Sequence, residues 1–379
     1  FLFKSINSLL SKDGRLGFIT PNSYFTNVSF KNLREYLIDH TSINEIIDFP
    51  YRFYPFDDVN TETAIITISK VQNSNNICEF KTVDKSLQLD NKGLNNVFKH
   101  QNHIQQVELK NKYDYKIITN INSIIDRLLK NKNTFKDYLE LHKGWMSVPE
   151  NVENALESYS KGVFTKDDIS SSDFLINNCK LYLEGRDIHR YYIDDVEKYV
   201  YVKDMDGKTK NWHYSPKIIL QRIVGQNKNK IFATIDFSNK VIFPNANLVN
   251  LNYLNDDVRF YLAILNSNLI GYYYNVYYGE SNTNITKLAF ESIPIPDIES
   301  IDKKPFSEGA QELIDLNGEF QSYSQRFILL LKSKHNIIKV SKKIQSWYNL
   351  DFSEFLKELD ISIKKSAKEN KTDYKELSL

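Results

Sequence analysis

The chain contains only two cysteines, Cys78 and Cys179, in 379 residues. They stand far apart, which excludes a disulfide framework and a cysteine-rich zinc site and suits a reducing, cytoplasmic setting. The seven histidines show no ligand spacing, and His100-x-x-His103 lacks a third partner, so no metal is expected. No apolar run reaches the length of a membrane span and no signal segment opens the chain, so no membrane partner is expected. Neither sign of charge dominates: 49 basic residues face 48 acidic ones, for a net charge of +1. A nucleic-acid partner would therefore have to be met by local patches. Glycine (12) and proline (9) are few, and neither a Gly-x-Gly nor an Asn-Pro pair occurs, which excludes a Gly-rich phosphate loop. No carboxylate pair followed by a metal-site lysine stands out, so any DNA cleavage is expected to lie outside this chain.

What is present is an ordinary globular composition, 41% hydrophobic and 26% charged, at a length that suits two or three domains. The chain opens on Phe1 inside a helical pattern, with Ile6, Leu9 and Leu10 on one face, and reads as a fragment of something longer. Residues 1–85 alternate helices and strands. A helix is expected over Asn27 to Asp39, and strands over Gly14 to Thr20, Ile43 to Phe49, Thr63 to Ser69 and Ile77 to Val83. Residues 86–133 are polar and read as a connector, with one helix near Ile121 to Leu129. From Thr134 short β-like pieces (Lys180 to Leu183, Lys198 to Lys203, Ile218 to Arg222, Lys240 to Phe243) are divided by Gly and Asn turns. A helix over Asp257 to Leu265 and the run Ile270 to Tyr278 follow, and Ile293-Pro294-Ile295-Pro296 ends the region. A long helical pattern covers Glu308 to Tyr348, and a shorter one with Phe355, Leu356 and Leu359 precedes a charged end.

Four features carry chemistry. Gly14 to Phe25 is a strand that delivers a Thr20-Pro21-Asn22 loop to a sheet edge, where α/β folds hold ligands. Asn bonding to nearby backbone amides explains that loop equally well. An aromatic loop, Pro50 to Asp58, carries Phe53, Tyr54 and Phe56, which suit either a stacking platform or a packing cluster. Between Lys198 and Lys230 eight basic residues (Lys198, Lys203, Lys208, Lys210, Lys217, Arg222, Lys228, Lys230) face only Asp204 and Asp206, with Tyr199, Tyr201, Trp212 and Tyr214 interleaved. Lysines neutralise phosphates, while Gln221, Arg222 and Gln226 have the groups that read base edges. A solvated face of a β-rich domain is the plainer alternative. Gly279 to Asn284, with Asn282 and Asn284, is a further polar loop that could face DNA.

The order helix, glycine turn, strand, Thr-Pro-Asn loop, helix closely resembles the second half of the catalytic domain of adenine-N6 DNA methyltransferases of the type II/IIG restriction–modification family. Glu184-Gly185-Arg186-Asp187-Ile188-His189-Arg190-Tyr191 is similar to a Gly-Arg-Asp-Ile turn in the target-recognition domain of these enzymes. Lys217 to Arg222, and Leu265 to Ile270 continuing through Gly279 to Pro296, resemble other parts of that domain. The resemblance implies an α/β fold: the C-terminal part of a Rossmann-like methyltransferase sheet (1–85), a connector (86–133), an α+β DNA target-recognition domain (134–300) and a helical tail (301–379). It also implies double-stranded DNA as partner, read by Arg186 and the residues above, and Phe56 as the ring that stacks the flipped adenine, with Phe53 second.

The family's methyl-donor loop and Asn-Pro-Pro-Tyr tetrad are absent. S-adenosylmethionine is therefore expected to be bound mainly by residues upstream of Phe1, in a missing N-terminal half, and the chain alone is expected to transfer no methyl group. A nuclease domain or subunit is a further partner implied by the resemblance. The alternative reading is a stand-alone DNA specificity subunit, docked through the Glu308–Tyr348 helix on a separate methyltransferase or nuclease. The methyltransferase-like first 85 residues speak against it. A third reading is a degenerate methyltransferase fold kept as a scaffold.

Overall fold

Apolar residues at alternate positions build the first sheet. The computed structural model describes residues 1–49, 61–84, 98–148, 162–224, 231–251, 257–278 and 284–370. Strands β1 (Arg15–Pro21), β2 (Ser42–Asp48), β3 (Thr63–Ser69), β4 (Ile77–Val83) and β5 (Phe98–Gln105) lie in the order β1-β3-β2-β4-β5. β3 is antiparallel to both β1 and β2, so these two run the same way; β4 is parallel to β2, and β5 is antiparallel to β4. Helix α1 (Lys31–His40) makes the crossover from β1 and packs on β2 with Leu37 and Ile38 buried. Ile43, Ile46, Ile66, Ile68, Cys78 and Phe80 fill the sheet's core. The strands expected from apolar periodicity are all present. β5 was not among them: only Ile104 of its eight residues is buried, and a polar edge strand gives no apolar signal. The sheet thus extends past residue 85.

Buried Gln106 closes this sheet against α1. Its amide donates to Ile38 O (2.8 Å) and Thr41 O (2.7 Å) and accepts from Ile43 N (2.8 Å) and Asn76 Nδ2 (2.8 Å). At the start of the chain the expected face of Ile6, Leu9 and Leu10 is only partly realised. Ser5–Leu9 winds as a widened turn closed by Leu10 N to Ser5 O, which buries Ile6 and leaves Leu9 77% exposed.

The β-rich region holds two further sheets. β6 (Leu139–Lys143), β7 (Val163–Phe164), β8 (Cys179–Leu183), β9 (Ile188–His189), β10 (Tyr192–Ile193) and β11 (Tyr199–Tyr201) precede α2 (Gly207–Tyr214). β12 (Lys217–Gln221), β13 (Ala233–Asp236), β14 (Val241–Ile242) and β15 (Ala246–Leu251) follow. One sheet runs β14-β8-β11-β7 and the other β13-β12-β15-β6, while β9 and β10 pair as a hairpin. The chain passes from one sheet to the other in the turn Phe243–Asn245. Two glycines admit that turn: a Cβ on Gly144 would lie 2.2 Å from Phe243 O, and one on Gly185 would lie 2.6 Å from Asn245 O. Helices α3 (Val258–Leu265) and α4 (Asn268–Tyr278) close the region; Tyr273, Tyr274, Tyr277 and Tyr278 are core residues.

A polar group lies within this apolar frame. Lys217 and Asp236, opposite each other on β12 and β13, are wholly buried and 2.7 Å apart. Burial pulls the Lys217 ammonium below its ordinary value, with Asp236 opposing. Burial raises Asp236, but the Lys217 charge and hydrogen bonds from Lys217 and Ser238 outweigh it and hold the carboxyl low. His213 accepts from Ile242 N (3.0 Å); burial first, then the Lys217 charge, drives its pKa down to about 4, so the ring is neutral.

The chain divides into two compact units, Phe1–Ser307 and Glu308–Leu379. Helix α5 (Ser300–Lys334) carries the chain into the second unit, where Leu331, Ile337, Val340, Ile344, Leu359 and Ile363 form a core with α6 (Phe352–Asn370). The long helix expected to reach Tyr348 stops at Lys334. Asn336 takes a left-handed φ of 50° and Ile337 N returns to Lys332 O, which terminates it.

Lys217→Ala leaves the Asp236 carboxylate buried without its counter-charge. The expected loss is roughly 3–5 kcal/mol of unfolding free energy, read by denaturant titration; a loss below about 1 kcal/mol would show that the pair is not buried as described.

Candidate nucleic-acid interface

Four stretches of chain meet at the turn between the two sheets. Gly185 N donates to Asn245 Oδ1 (2.9 Å), Arg222 N to Asn245 O (3.3 Å) and Arg222 Nη1 to Pro244 O (3.1 Å). Ile285 N donates to Arg222 O (2.9 Å), Asn247 Nδ2 to Ile285 O (3.1 Å), and Ile223 pairs with Asn284 in an isolated bridge. The structure therefore gathers Arg222 and Asn284 with the Gly185–Asp187 turn, whose Arg186 is 73% exposed and paired with Glu184. Residues 225–230 and 279–283 lie outside the described residues, and Gln226, Lys228, Lys230 and Asn282 lie there with them. The ends from which those two segments depart, Ile223–Val224 and Asn284, are side by side. Pro244 and Asn245, which hold this arrangement, were not singled out from the sequence. Their only signal was an Asn after a Pro in a chain with few prolines.

The remaining basic candidates divide into exposed and inward-turned ones. Lys203 is exposed, 5.7 Å from the Phe174 ring, and Lys208 on α2 lies 5.2 Å from Trp212. Lys210 is half-buried on α2. Lys198 turns inward, 2.8 Å from Asp187 and 3.5 Å from Glu184, so its charge is used within the fold. Lys217 is in the core, as described. Gln221 spends its amide on Ile188 O (2.7 Å). A count of basic residues along the sequence could not separate these inward lysines from the exposed ones. Phe53 and Phe56 lie outside the described residues.

The β-rich region is tied to the first sheet at the loop after β1. Buried Arg34 donates to Tyr24 O (2.9 Å), Asn27 O (2.6 Å) and Tyr115 O (2.9 Å), and fixes the shape of that loop. Thr26 Oγ1 then donates to Tyr278 O (2.9 Å) at the end of α4, and Asn122 reaches the Tyr272 hydroxyl. Lys116 lies between the same elements, 3.8 Å from the Tyr277 ring and 4.6 Å from the Tyr278 ring. Asn22 donates to Asp48 Oδ1 (3.0 Å) and Thr119 Oγ1 to Asp48 Oδ2 (2.9 Å). The polar groups of the Thr-Pro-Asn loop are thus engaged within the protein. Among the described residues no group of three or more His, Cys, Asp or Glu could hold a metal ion, and no helix is long and apolar enough to cross a membrane.

Comparison with known families bears out the resemblance read from the sequence. Residues 1–56 match the Eco57I restriction-modification methylase family, and residues 180–295 match the TaqI-like C-terminal specificity domain. Residues 299–379 match a domain of unknown function, DUF8810. A search of curated proteins finds no match. Among solved structures, the type IIL restriction-modification enzyme MmeI in complex with DNA is similar at 12% identity and a TM-score of 0.48, over 96% of this chain and 48% of that one. The type IIG restriction endonuclease BpuSI is similar at 14% identity and a TM-score of 0.35, over 80% and 43%. A nuclease-deletion mutant of the type ISP enzyme LlaGI with a DNA substrate mimic gives 13% and 0.45, over 82% and 36%. The chain spans about half the length of these proteins or less.

Lys116 sets a pH dependence. Burial pulls its pKa from 10.5 down to about 7, with Asp114 opposing and Arg34 and Lys31 adding to the shift. The unfolded chain keeps this proton up to about its ordinary value, so stability rises between pH 7 and 10.5 and is lowest below 7. In Lys116→Met the part of the rise due to Lys116 is expected to vanish, so that the rise is smaller than in the parent, and stability at pH 7 and below to increase; thermal melts of both proteins across that range check it.

Proposed function

We propose that the chain provides target recognition within a restriction–modification adenine-N6 DNA methyltransferase. The observation that carries this reading is the match of residues 180–295 to a specificity domain. The convergence of Arg186, Arg222 and Asn284 beside the ends of two further polar segments supports it. Phosphate contacts from exposed lysines such as Lys203 and Lys208 would position the duplex, and the converging side chains would read bases.

In the same reading residues 1–85 supply one wall of the adenine pocket. The match of residues 1–56 to a methylase family supports this, as does the arrangement of β1 and β2 running the same way with β3 antiparallel between them, which suits the end of a Rossmann-like sheet. S-adenosylmethionine would supply the methyl group, held mainly by residues that this chain does not contain. Extruding a base costs a few kcal/mol, which an aromatic platform at Phe56, or Phe53, would offset by stacking. The chain by itself then binds DNA in the cytoplasm and methylates nothing.

Selection of randomised duplex DNA on the chain, followed by sequencing, is expected to enrich one short adenine-containing motif. Salt-sensitive binding with no enriched motif would defeat the recognition claim. A companion measurement separates the lysines. Lys203→Ala combined with Lys208→Ala should flatten the dependence of log K on log salt by about 0.9 for each phosphate that is no longer neutralised, measured by fluorescence anisotropy. Lys198→Met should leave the slope as it was, because that charge is already paired.

A further inference from the structure

In the second unit, α5 presents Leu313 (42% exposed), Leu316 (52%), Phe320 (38%), Tyr323 (65%) and Leu330 (68%) to solvent. With Phe327 between the last two, these positions step by three and four residues, the repeat of a helix-to-helix seam. Phe327 itself leans on Trp347 and Phe355, and Phe320 meets Tyr348 edge-on with centroids 4.8 Å apart, so the open part of the seam is Leu313, Leu316, Tyr323 and Leu330, joined by the part of Phe320 that stays exposed. From Leu313 to Leu330 the seam is about 25 Å long. Glu312, Glu319 and Arg326, all exposed, stand one residue before Leu313, Phe320 and Phe327 and so flank it.

We propose that this face of α5 docks on the same face of a second copy of the chain, with the two helices antiparallel. The spacing is self-complementary about a two-fold axis between residues 321 and 322. Phe320 then meets the partner subunit's Tyr323, Leu313 meets the partner subunit's Leu330, and Leu316 meets the exposed edge of the partner subunit's Phe327. The same register sets Glu319 opposite the partner subunit's Arg326, and by symmetry Arg326 opposite the partner subunit's Glu319. A parallel pair lacks this match: the flanking position facing Glu319 would be the partner subunit's Ser324, and that facing Glu312 the partner subunit's Asn317. Ser324 Oγ is in any case already taken by Trp347 Nε1 (3.2 Å). Charge complementarity thus selects a second copy, and selects the antiparallel order.

The test is sedimentation velocity of the full 379-residue chain over micromolar concentrations. The expected result is a reversible species of twice the 44.4 kDa chain mass. Tyr323→Glu should leave a monomer. Glu319→Arg alone and Arg326→Glu alone should each weaken association about tenfold by opposing like charges, and the two together in one chain should restore it. Circular dichroism verifies that these exposed substitutions keep the fold. A cross-link gives the direction independently, since both native cysteines are buried. Leu313→Cys chains mixed with Leu330→Cys chains should oxidise to mixed disulfides, whereas a parallel pair would give only like-with-like products. A chain that stays monomeric at every concentration, as it would if this face served a methyltransferase or nuclease partner instead, overturns the proposal. So do a charge swap that fails to restore association and like-with-like cross-links.

Discussion

The turn Phe243–Asn245 is the constraint on which the β-rich region depends. It is the passage from the sheet of β8 to the sheet of β12, and its backbone runs so close to Gly144 and Gly185 that no side chain fits at either position. Asn245 bonds with both its side chain and its carbonyl, to strand-end residues of different sheets. Because Arg222 is held by the same turn, and residues 284–285 are held by Arg222, the positions of the loop bases follow from it.

The polar interior beneath that turn is less a source of stability than of definition. Lys217, Asp236 and His213 occupy positions where apolar residues would pack without desolvation cost. Their hydrogen bonds reach His213 O, Ser238 N, Lys240 N and Ile242 N, which orders the β13–β14 connection and the entry to the critical turn. A shifted register would strand these groups without partners, so the ion pair fixes which residues of β12 and β13 face one another.

The elements most legible in the sequence were those with one apolar face. β1 to β4, α1 and α3 follow from periodicity, and the tyrosine-rich α4 was legible as a core run that suits strand or helix. β5 escaped because a polar edge strand has no such face, and α5 ended early because one Asn in a left-handed conformation stops a helix without any proline. The site was legible as a set of segments, and the segments Glu184–Tyr191, Lys217–Arg222 and Asn284 do converge. It was not legible as a set of charges. Lys198 and Lys217 belong to ion pairs whose acidic partners, Asp187, Glu184 and Asp236, are 11 to 19 residues away and were invisible to a local count. The contacts of Thr26 and Lys116 with α4 join distant parts of the chain, and no local pattern announces them.

The bridge between Ile223 and Asn284 has a consequence for how this region can change over evolution. Much of the entropic cost of closing a surface loop lies in bringing its ends to fixed points, and further length adds only about 0.6 kcal/mol per doubling. Here the fixed points are furnished by the frame, through Arg222 and the turn it grips. A change in chain length between Val224 and Ile231, or between Tyr278 and Asn284, therefore leaves these anchoring bonds in place. The frame is a fixed socket, and chain added between its anchored ends need not be accompanied by compensating change in the core.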